Sequence, residues 1–432
     1  MKNIWPLLYN YLIIPVFYIS VRFLGLFNSK VRRGIKGRKR VFEELILNAA
    51  GLNKTKKLVW FHSSSYGEFE QAKPIIKELK KNNDFNILVT FFSPSGYENS
   101  KKYPYADLIS YIPLDTKQNA ELLIKIANPS LAVMMRYDIW PNHIWALRKA
   151  DIPCYIVDAT MKEKSARKFP VIKNFHKNLY KNFTRILTVS ENDVEGFKKF
   201  GCINDQLKAV GDTRFDRVYQ RSVTAKERKL IRDEILKDKI VLVAGSTWEQ
   251  DEDVIIPAFK KLASVDKNVL LIIAPHEPTI LHLENLENEF LGLPAFRKNS
   301  METIRFSFLN NYNNEKVIIV DSIGILLTLY IYADIAFVGG GFKQNIHNVL
   351  EAAVYGAPVL FGPKIDNSQE AKELLKRGGG IMINNRMEAY RRLRKLISDE
   401  KLRRSKGKIS HQYVQENLGA TDKILQEINK FI

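Results

Sequence analysis

At 432 residues the chain is too long for one ordinary core and is read as two domains, and its 45% apolar and 26% charged residues exclude wholesale disorder. With 67 Lys and Arg against 47 Asp and Glu, the net charge of +20 implies an anionic partner: nucleic acid, an anionic membrane surface or phosphorylated substrates. Only Cys154 and Cys202 occur, without metal-ligand spacing, so neither a disulfide framework nor a structural zinc site is indicated, and a reducing, cytosolic setting fits.

Residues 4–27 are mostly apolar. As a helix they reach about 36 Å at about 1.5 Å per residue, against about 30 Å of hydrocarbon. Lys30, Arg32, Arg33, Lys36, Arg38, Lys39 and Arg40 follow at once, a cluster that favours the cytoplasmic side. No small-residue cleavage site supports a signal peptide, while Arg22 and the interspersed aromatics also permit a helix lying flat among headgroups. Residues 1–40 are therefore read as a single membrane anchor with a basic flank.

The first folded domain, 41–216, opens on the apolar run LVWFH at 58–62, and Ser65-Tyr66-Gly67-Glu68 fills the turn into a helix. An acid in that first turn is favoured by the helix dipole alone, by about 0.3–1 kcal/mol, so a helix-stabilising and a chemical role both stay open for Glu68. Strands at 86–92, 108–112, 131–135, 154–157 and 185–189 alternate with helical segments, the pattern of a parallel sheet covered on both faces. Trp140-Pro141-Asn142 opens one helix, with Pro141 at its first position and Asp138 or Asn142 as its cap. Gly211-Asp212-Thr213-Arg214-Phe215-Asp216 closes this half, and the charged stretch 217–239 reads as a linker with a helix in it.

A second domain, 240–400, repeats the alternation. The strand at 240–244 ends in Gly245-Ser246-Thr247-Trp248-Glu249, that at 269–274 in Pro275-His276-Glu277-Pro278, and that at 317–320 in Asp321-Ser322-Ile323-Gly324. At 334–363, DIAFVGGGFKQNIHNVLEAAVYGAPVLFGP, an apolar strand meets Gly339-Gly340-Gly341, then a helix expected from near His347, then a stop at Gly356-Ala357-Pro358 before the next strand. Ligands of open α/β sheets sit at that end of the strands. Such glycines permit close backbone approach, a helix start offers N–H donors to a phosphate, and Glu351 one turn in can accept sugar hydroxyls; an ordinary structural turn is the alternative. Residues 386–432 are helical in pattern and basic, with 401–432 read as a tail.

Together these pieces resemble the 3-deoxy-D-manno-octulosonic acid (Kdo) transferases, membrane-associated glycosyltransferases of lipopolysaccharide assembly in Gram-negative bacteria. The resemblance rests on the N-terminal anchor, S-x-G-E at Ser65 to Glu68, WPN at Trp140 to Asn142, G-[ND]-x-[KR]-F-D at Gly211 to Asp216, GSTWE at Gly245 to Glu249, APHEP at Ala274 to Pro278 and VGG…HNxLE from Val338 to Glu351. It implies the α/β GT-B fold, two Rossmann-like domains with an interdomain cleft, and inverting transfer of Kdo from CMP-Kdo to a hydroxyl of the lipid A precursor (lipid IVA) at the cytoplasmic face of the inner membrane. It also implies that Glu68 is the general base, that Arg214 stabilises the transition state and that Asp138 is a further acid of the site. The CMP contacts carry over to Pro275 and His276, to Ile323, Gly324 and Ile325, and to Asn348, Val349, Leu350 and Glu351. No cofactor or metal is expected beyond the donor, since no D-x-D pair is placed in a loop to hold a divalent ion. The expected partners are CMP-Kdo, the lipid A precursor and inner-membrane lipids, without nucleic acid.

The chain departs from the family at E-x-E-L-W-P-N, which here runs Arg136-Tyr137-Asp138-Ile139-Trp140-Pro141-Asn142, and at the arginine of the following N-x-R-x-S-type motif, replaced by Thr160. The rival readings are a GT-B transferase using a UDP-sugar and a membrane-tethered polyanion-binding adaptor without turnover.

Overall fold

The computed structural model describes residues 4–81, 85–161, 167, 169–292 and 301–431. The chain forms two compact units, one running up to Arg217 and resuming at Leu418, the other Val218–Asn417. In the first, β1 (Lys57–Ser63), β2 (Phe85–Phe91), β3 (Leu108–Tyr111), β4 (Leu131–Met135), β5 (Cys154–Ala159), β6 (Arg185–Thr188) and β7 (Leu207–Ala209) form one parallel sheet in the order β3-β2-β1-β4-β5-β6-β7. Alternate residues of each strand enter opposite cores. Trp60, Leu88, Ala132 and Ile156 lie in one, Phe61, Val89, Val133 and Tyr155 in the other, so these strands read as unbroken apolar runs.

The second unit repeats the plan with β8 (Ile240–Thr247), β9 (Val269–Pro275), β10 (Thr303–Arg305), β11 (Val317–Ile319), β12 (Ile335–Val338), β13 (Val359–Phe361) and β14 (Gly380–Met382), all parallel in the order β10-β11-β9-β8-β12-β13-β14. In each sheet the first strand has neighbours reached in opposite directions, β2 and β4 for β1, β9 and β12 for β8. Those are the switch points where open α/β sheets leave a crevice beyond the strand ends.

The unit boundaries differ from those drawn on the sequence. The stretch 217–239, read as a linker with a helix in it, begins inside the helix Thr213–Ala225 and contains a second short helix, Asp233–Leu236. The expected tail is divided. Its helix Glu400–Glu416 stays in the second unit, whereas Ala420–Ile428 packs on the first. There Asp216 accepts the Gly419 and Thr421 backbone N–H groups at 2.7 and 2.6 Å, capping a helix that has no cap of its own. Ile424 and Ile428 join the core beside Val59 and Phe61, and Glu427 pairs with Lys208 at 2.9 Å.

The helix Trp5–Phe27 is long and apolar enough to cross a membrane, with a mean hydropathy of 1.6. One side of it docks on the first unit. Tyr9 donates its hydroxyl to Asp115 at 2.8 Å, the Asn10 and Asn142 amides bond reciprocally at 3.0 Å, and Phe17 lies against Phe92 and Trp140. The opposite side, including Tyr11 (80% exposed) and Ile19 (67%), is exposed.

Candidate functional site

Glu68 lies in the first turn of the helix Tyr66–Lys81, directly beyond β1. Its Oε2 accepts the Ser64 and Ser65 backbone N–H groups at 2.7 and 3.3 Å, and its Oε1 takes no hydrogen bond among the described residues. Burial first, then the negative charge of Asp138, raise its pKa above the ordinary carboxylate value, against the opposing effect of those two N–H groups. A carboxylate anchored through one oxygen, with the other unbonded and its basicity increased, has what a general base needs.

Asp138 sits at the end of β4 and is held by His62, which the sequence reading passed over as the end of an apolar strand. Trp60 Nε1 donates to the Thr90 hydroxyl at 2.8 Å, that hydroxyl hydrogen-bonds His62 Nδ1 at 2.9 Å, and His62 Nε2 hydrogen-bonds Asp138 Oδ2 at 2.6 Å. Trp140 Nε1 donates between His62 Nε2 at 3.1 Å and the same carboxylate oxygen at 3.3 Å. Neither Asp138 nor Asn142 caps the WPN helix, contrary to expectation. Asp115 does so from another loop, accepting the Asn142 and His143 N–H groups at 3.2 and 3.1 Å. That leaves the Asn142 side chain for Asn10 and the Asp115 carbonyl.

Arg214 occupies the first turn of the helix Thr213–Ala225, an unfavourable end for a cation. Asp212 offsets this by gripping its guanidinium through Nε at 2.9 and 3.0 Å and Nη2 at 2.6 Å. Burial opposes charge on Asp212, yet Arg214 keeps its pKa below the ordinary value. The neighbouring Asp158, wholly buried and facing Asp212, is raised instead, while accepting the Thr213 N–H at 3.2 Å and the Thr213 hydroxyl.

In the second unit Asp251 holds N–H groups at the GGG loop. Asp251 takes the Gly340 N–H at 2.7 Å and the Phe342 N–H at 3.2 Å, together with Trp248 N–H at 3.0 Å. The glycines serve backbone packing, since a Cβ on Gly339 would lie 2.2 Å from Ser246 O and one on Gly340 2.2 Å from Asn345 O. The expected helix from His347 is also shorter, Leu350–Ala353, because Gly356 and Pro358 follow so closely. Val349 and Leu350 are buried, so their side chains belong to the core.

His276, one of the expected nucleotide contacts, lies in a cluster with Trp248 and His347. The His276 and His347 rings stack at 4.3 Å, Trp248 lies 4.7 Å from His276, and Trp248 Nε1 donates to His347 Nε2 at 3.1 Å. Burial and the adjacent His276 push His347 down to about 4, which keeps its Nε2 an acceptor. Asn348 donates to Glu351 at 3.3 Å, and Arg221 stands 4.0 Å from the same carboxylate. Pro275 ends β9, and the turn after β11 projects Ile323 (84% exposed) and Gly324, with φ +86°, ahead of Ile325. Among the described residues no three His, Cys, Asp or Glu side chains converge as metal ligands do.

The family model described as 3-deoxy-D-manno-octulosonic-acid transferase (kdotransferase) matches residues 39–217. A 3-deoxy-D-manno-octulosonic acid transferase of Aquifex aeolicus is 31% identical over 355 residues, 81% of this chain and 89% of that one. The chain belongs to the Kdo transferase family. A bifunctional glycosyltransferase/methyltransferase of Fusobacterium nucleatum is 29% identical over 358 residues; the alignment covers 81% of this chain but only 54%, about half, of that longer relative. UDP-GlcNAc 2-epimerase from Neisseria meningitidis superimposes with a TM-score of 0.58 at 16% identity, over 87% of this chain and 100% of that one, a likeness of fold alone. With its two parallel sheets, this Kdo transferase has the expected α/β GT-B class of fold. Its departures from the family pattern also have a structural partner. Arg136, just beyond β4 and held at φ +60° with its N–H on Val157 O at 2.7 Å, places positive charge near Asp158 and Asp212, while Thr160 follows the neighbouring β5.

Proposed function

We propose that this Kdo transferase moves Kdo from CMP-Kdo to a hydroxyl of an acylated lipid A precursor, with inversion, at the cytoplasmic face of the inner membrane. Glu68 Oε1 takes the acceptor hydroxyl proton while that oxygen forms the new bond to the anomeric carbon. The bond from that carbon to the CMP phosphate oxygen breaks, and the phosphate leaves with the electron pair. Asp138, steadied by His62, keeps negative charge beside Glu68 and so sustains its basicity. Arg214, fixed by Asp212, supplies a positive charge for the developing anion. The second unit takes the nucleotide. His276, in its stack with Trp248 and His347, offers a face to the pyrimidine, Asn348 and Glu351 polar groups to the ribose, and the Ile323 to Ile325 turn a backbone approach to the phosphate.

The arrangement of Glu68 carries this reading: anchored on one oxygen, unbonded on the other, raised in pKa, and set at a switch point. Mass-resolved transfer assays with CMP-Kdo and with UDP-sugars test it. The expected result is a mass gain of Kdo units on the acceptor from CMP-Kdo alone. Transfer from a UDP-sugar without transfer from CMP-Kdo refutes it.

A further inference from the structure

A cavity of about 480 Å³ opens in the first unit between the second half of the helix Trp5–Phe27, the helix Ser29–Gly37 and the end of β2. That volume lies within the range of about 300–1,000 Å³ typical of small-molecule sites. Its walls are apolar, with Phe17, Val21, Val31, Phe92 and Leu114 among them. Four cations line it: Arg22, Lys30, Arg38 and Lys39. None of the four pairs with a carboxylate among the described residues. Arg38 is pinned in place, donating from Nε to Ile112 O at 3.0 Å, from Nη1 to Gly34 O at 2.8 Å and from Nη2 to Phe92 O, with its guanidinium 4.6 Å from the Phe92 ring. Backbone carbonyls satisfy its hydrogens without neutralising its charge. An apolar chamber with uncompensated positive charge matches a molecule that is hydrocarbon at one end and anionic nearby.

The cavity also adjoins the proposed base. Its wall residue Ser93 donates its backbone N–H to Ser64 O at 2.8 Å, and Ser64 in turn donates its own N–H to Glu68. Phe92, another wall residue, stacks on Trp140 at 4.8 Å, and Trp140 donates to Asp138. A ligand whose hydrocarbon fills the cavity therefore has its polar head led toward Glu68.

We propose that this cavity holds an acyl chain of the phosphorylated acceptor lipid, with Arg22, Lys30, Arg38 and Lys39 receiving its phosphate. The proposal rests on the Kdo transfer reading for the identity of the acceptor. It makes acylation a determinant of acceptor binding, with the N-terminal helix forming part of the substrate site besides its membrane contact.

The full-length enzyme in detergent tests this with Val31→Trp and Val21→Trp, which fill the cavity, and Lys30→Ala combined with Lys39→Ala, which strips part of its charge. Steady-state transfer is measured with an acylated phosphorylated acceptor and with the same acceptor chemically deacylated. The filling variants are expected to raise KM for the acylated acceptor at least tenfold, leaving the rate on the deacylated acceptor and KM for CMP-Kdo unchanged; the lysine variant is expected to raise KM for both acceptors. Equal loss on both acceptors in the filling variants, or no change, overturns the proposal. A second measurement is independent of turnover: a photoactivatable acyl chain on the acceptor is crosslinked, and the labelled peptides are mapped. Label on the walls that persists under excess phosphatidylglycerol vesicles and is lost in Val31→Trp supports the proposal. Displacement by those vesicles assigns the cavity to bulk lipid and overturns it. If the wild-type enzyme labels there but transfers no Kdo, the transfer reading fails while the cavity assignment stands.

Discussion

Replacing Glu68 with Gln removes the proposed base while keeping its shape. The amide oxygen can still accept the Ser64 N–H, now at 2.7 Å, so the local cost is confined to weakening the longer Ser65 contact, about 1 kcal/mol or less. The chemical cost is larger. General-base assistance contributes about 10²–10⁴-fold, and at about 1.36 kcal/mol per decade its loss raises the barrier by roughly 2.7–5.4 kcal/mol. Initial rates of Kdo transfer, followed by mass spectrometry across pH, should show kcat down at least 100-fold with KM for CMP-Kdo little changed and the melting temperature nearly intact. The wild-type rate should fall on acidification at a pH above the ordinary carboxylate range, because burial and Asp138 raise the pKa of Glu68 and the base works only when deprotonated. Glu68→Gln should lose that acid limb. Retention of more than a tenth of kcat, or an unaltered pH profile, would refute the assignment.

Asp138→Asn removes the second cause of the raised Glu68 pKa but not the first, burial, so the acid limb of kcat/KM should move part of the way toward lower pH; pH profiles decide this, and no movement contradicts the coupling. Asp216→Ala uncaps the helix Ala420–Ile428 and should cost about 0.5–2 kcal/mol, read as a lower melting midpoint and faster proteolysis near residue 418. His347 has a folded pKa of about 4, below its ordinary 6.5, so the unfolded chain binds the extra proton first. Stability present above pH 6.5 is therefore lost as pH falls toward 4, at about 1.4 kcal/mol per unit for full burial, roughly halved for this partly exposed ring. Denaturant titrations of wild type should show that slope, and His347→Gln should flatten it.

The long central strands were legible in the sequence because burial on both faces demands unbroken apolar runs such as Leu131–Met135 and Val269–Pro275. Leu207–Ala209, Thr303–Arg305 and Gly380–Met382 were not. All three are edge strands of three residues, too short for a pattern to repeat. Glu68 could be singled out because a strand, a turn and a helix place it at a strand end. His62 could not, since it closes an apolar run and its partners come from elsewhere, Thr90 from β2 and Asp138 from the loop after β4. Asp251 resembles any acid in a first helical turn, and only its long-range bond to Gly340 reveals why the GGG loop holds its shape. The glycines were visible, but that Gly339 faces another backbone depends on Ser246, 93 positions earlier.

The helix Ala420–Ile428 completes the first unit only after the two hundred residues of Val218–Asn417 have been made. Until then β5 and β6 lack the side chains of Ile424, Glu427 and Ile428 that cover Tyr155 and neutralise Arg185. During synthesis, domains nearest the start ordinarily fold first and independently. Here the emerging N-terminal half must wait with an apolar flank open, so a ribosome paused beyond residue 217 would display an aggregation-prone nascent chain, and expression of that half alone calls for supplying the missing helix in trans.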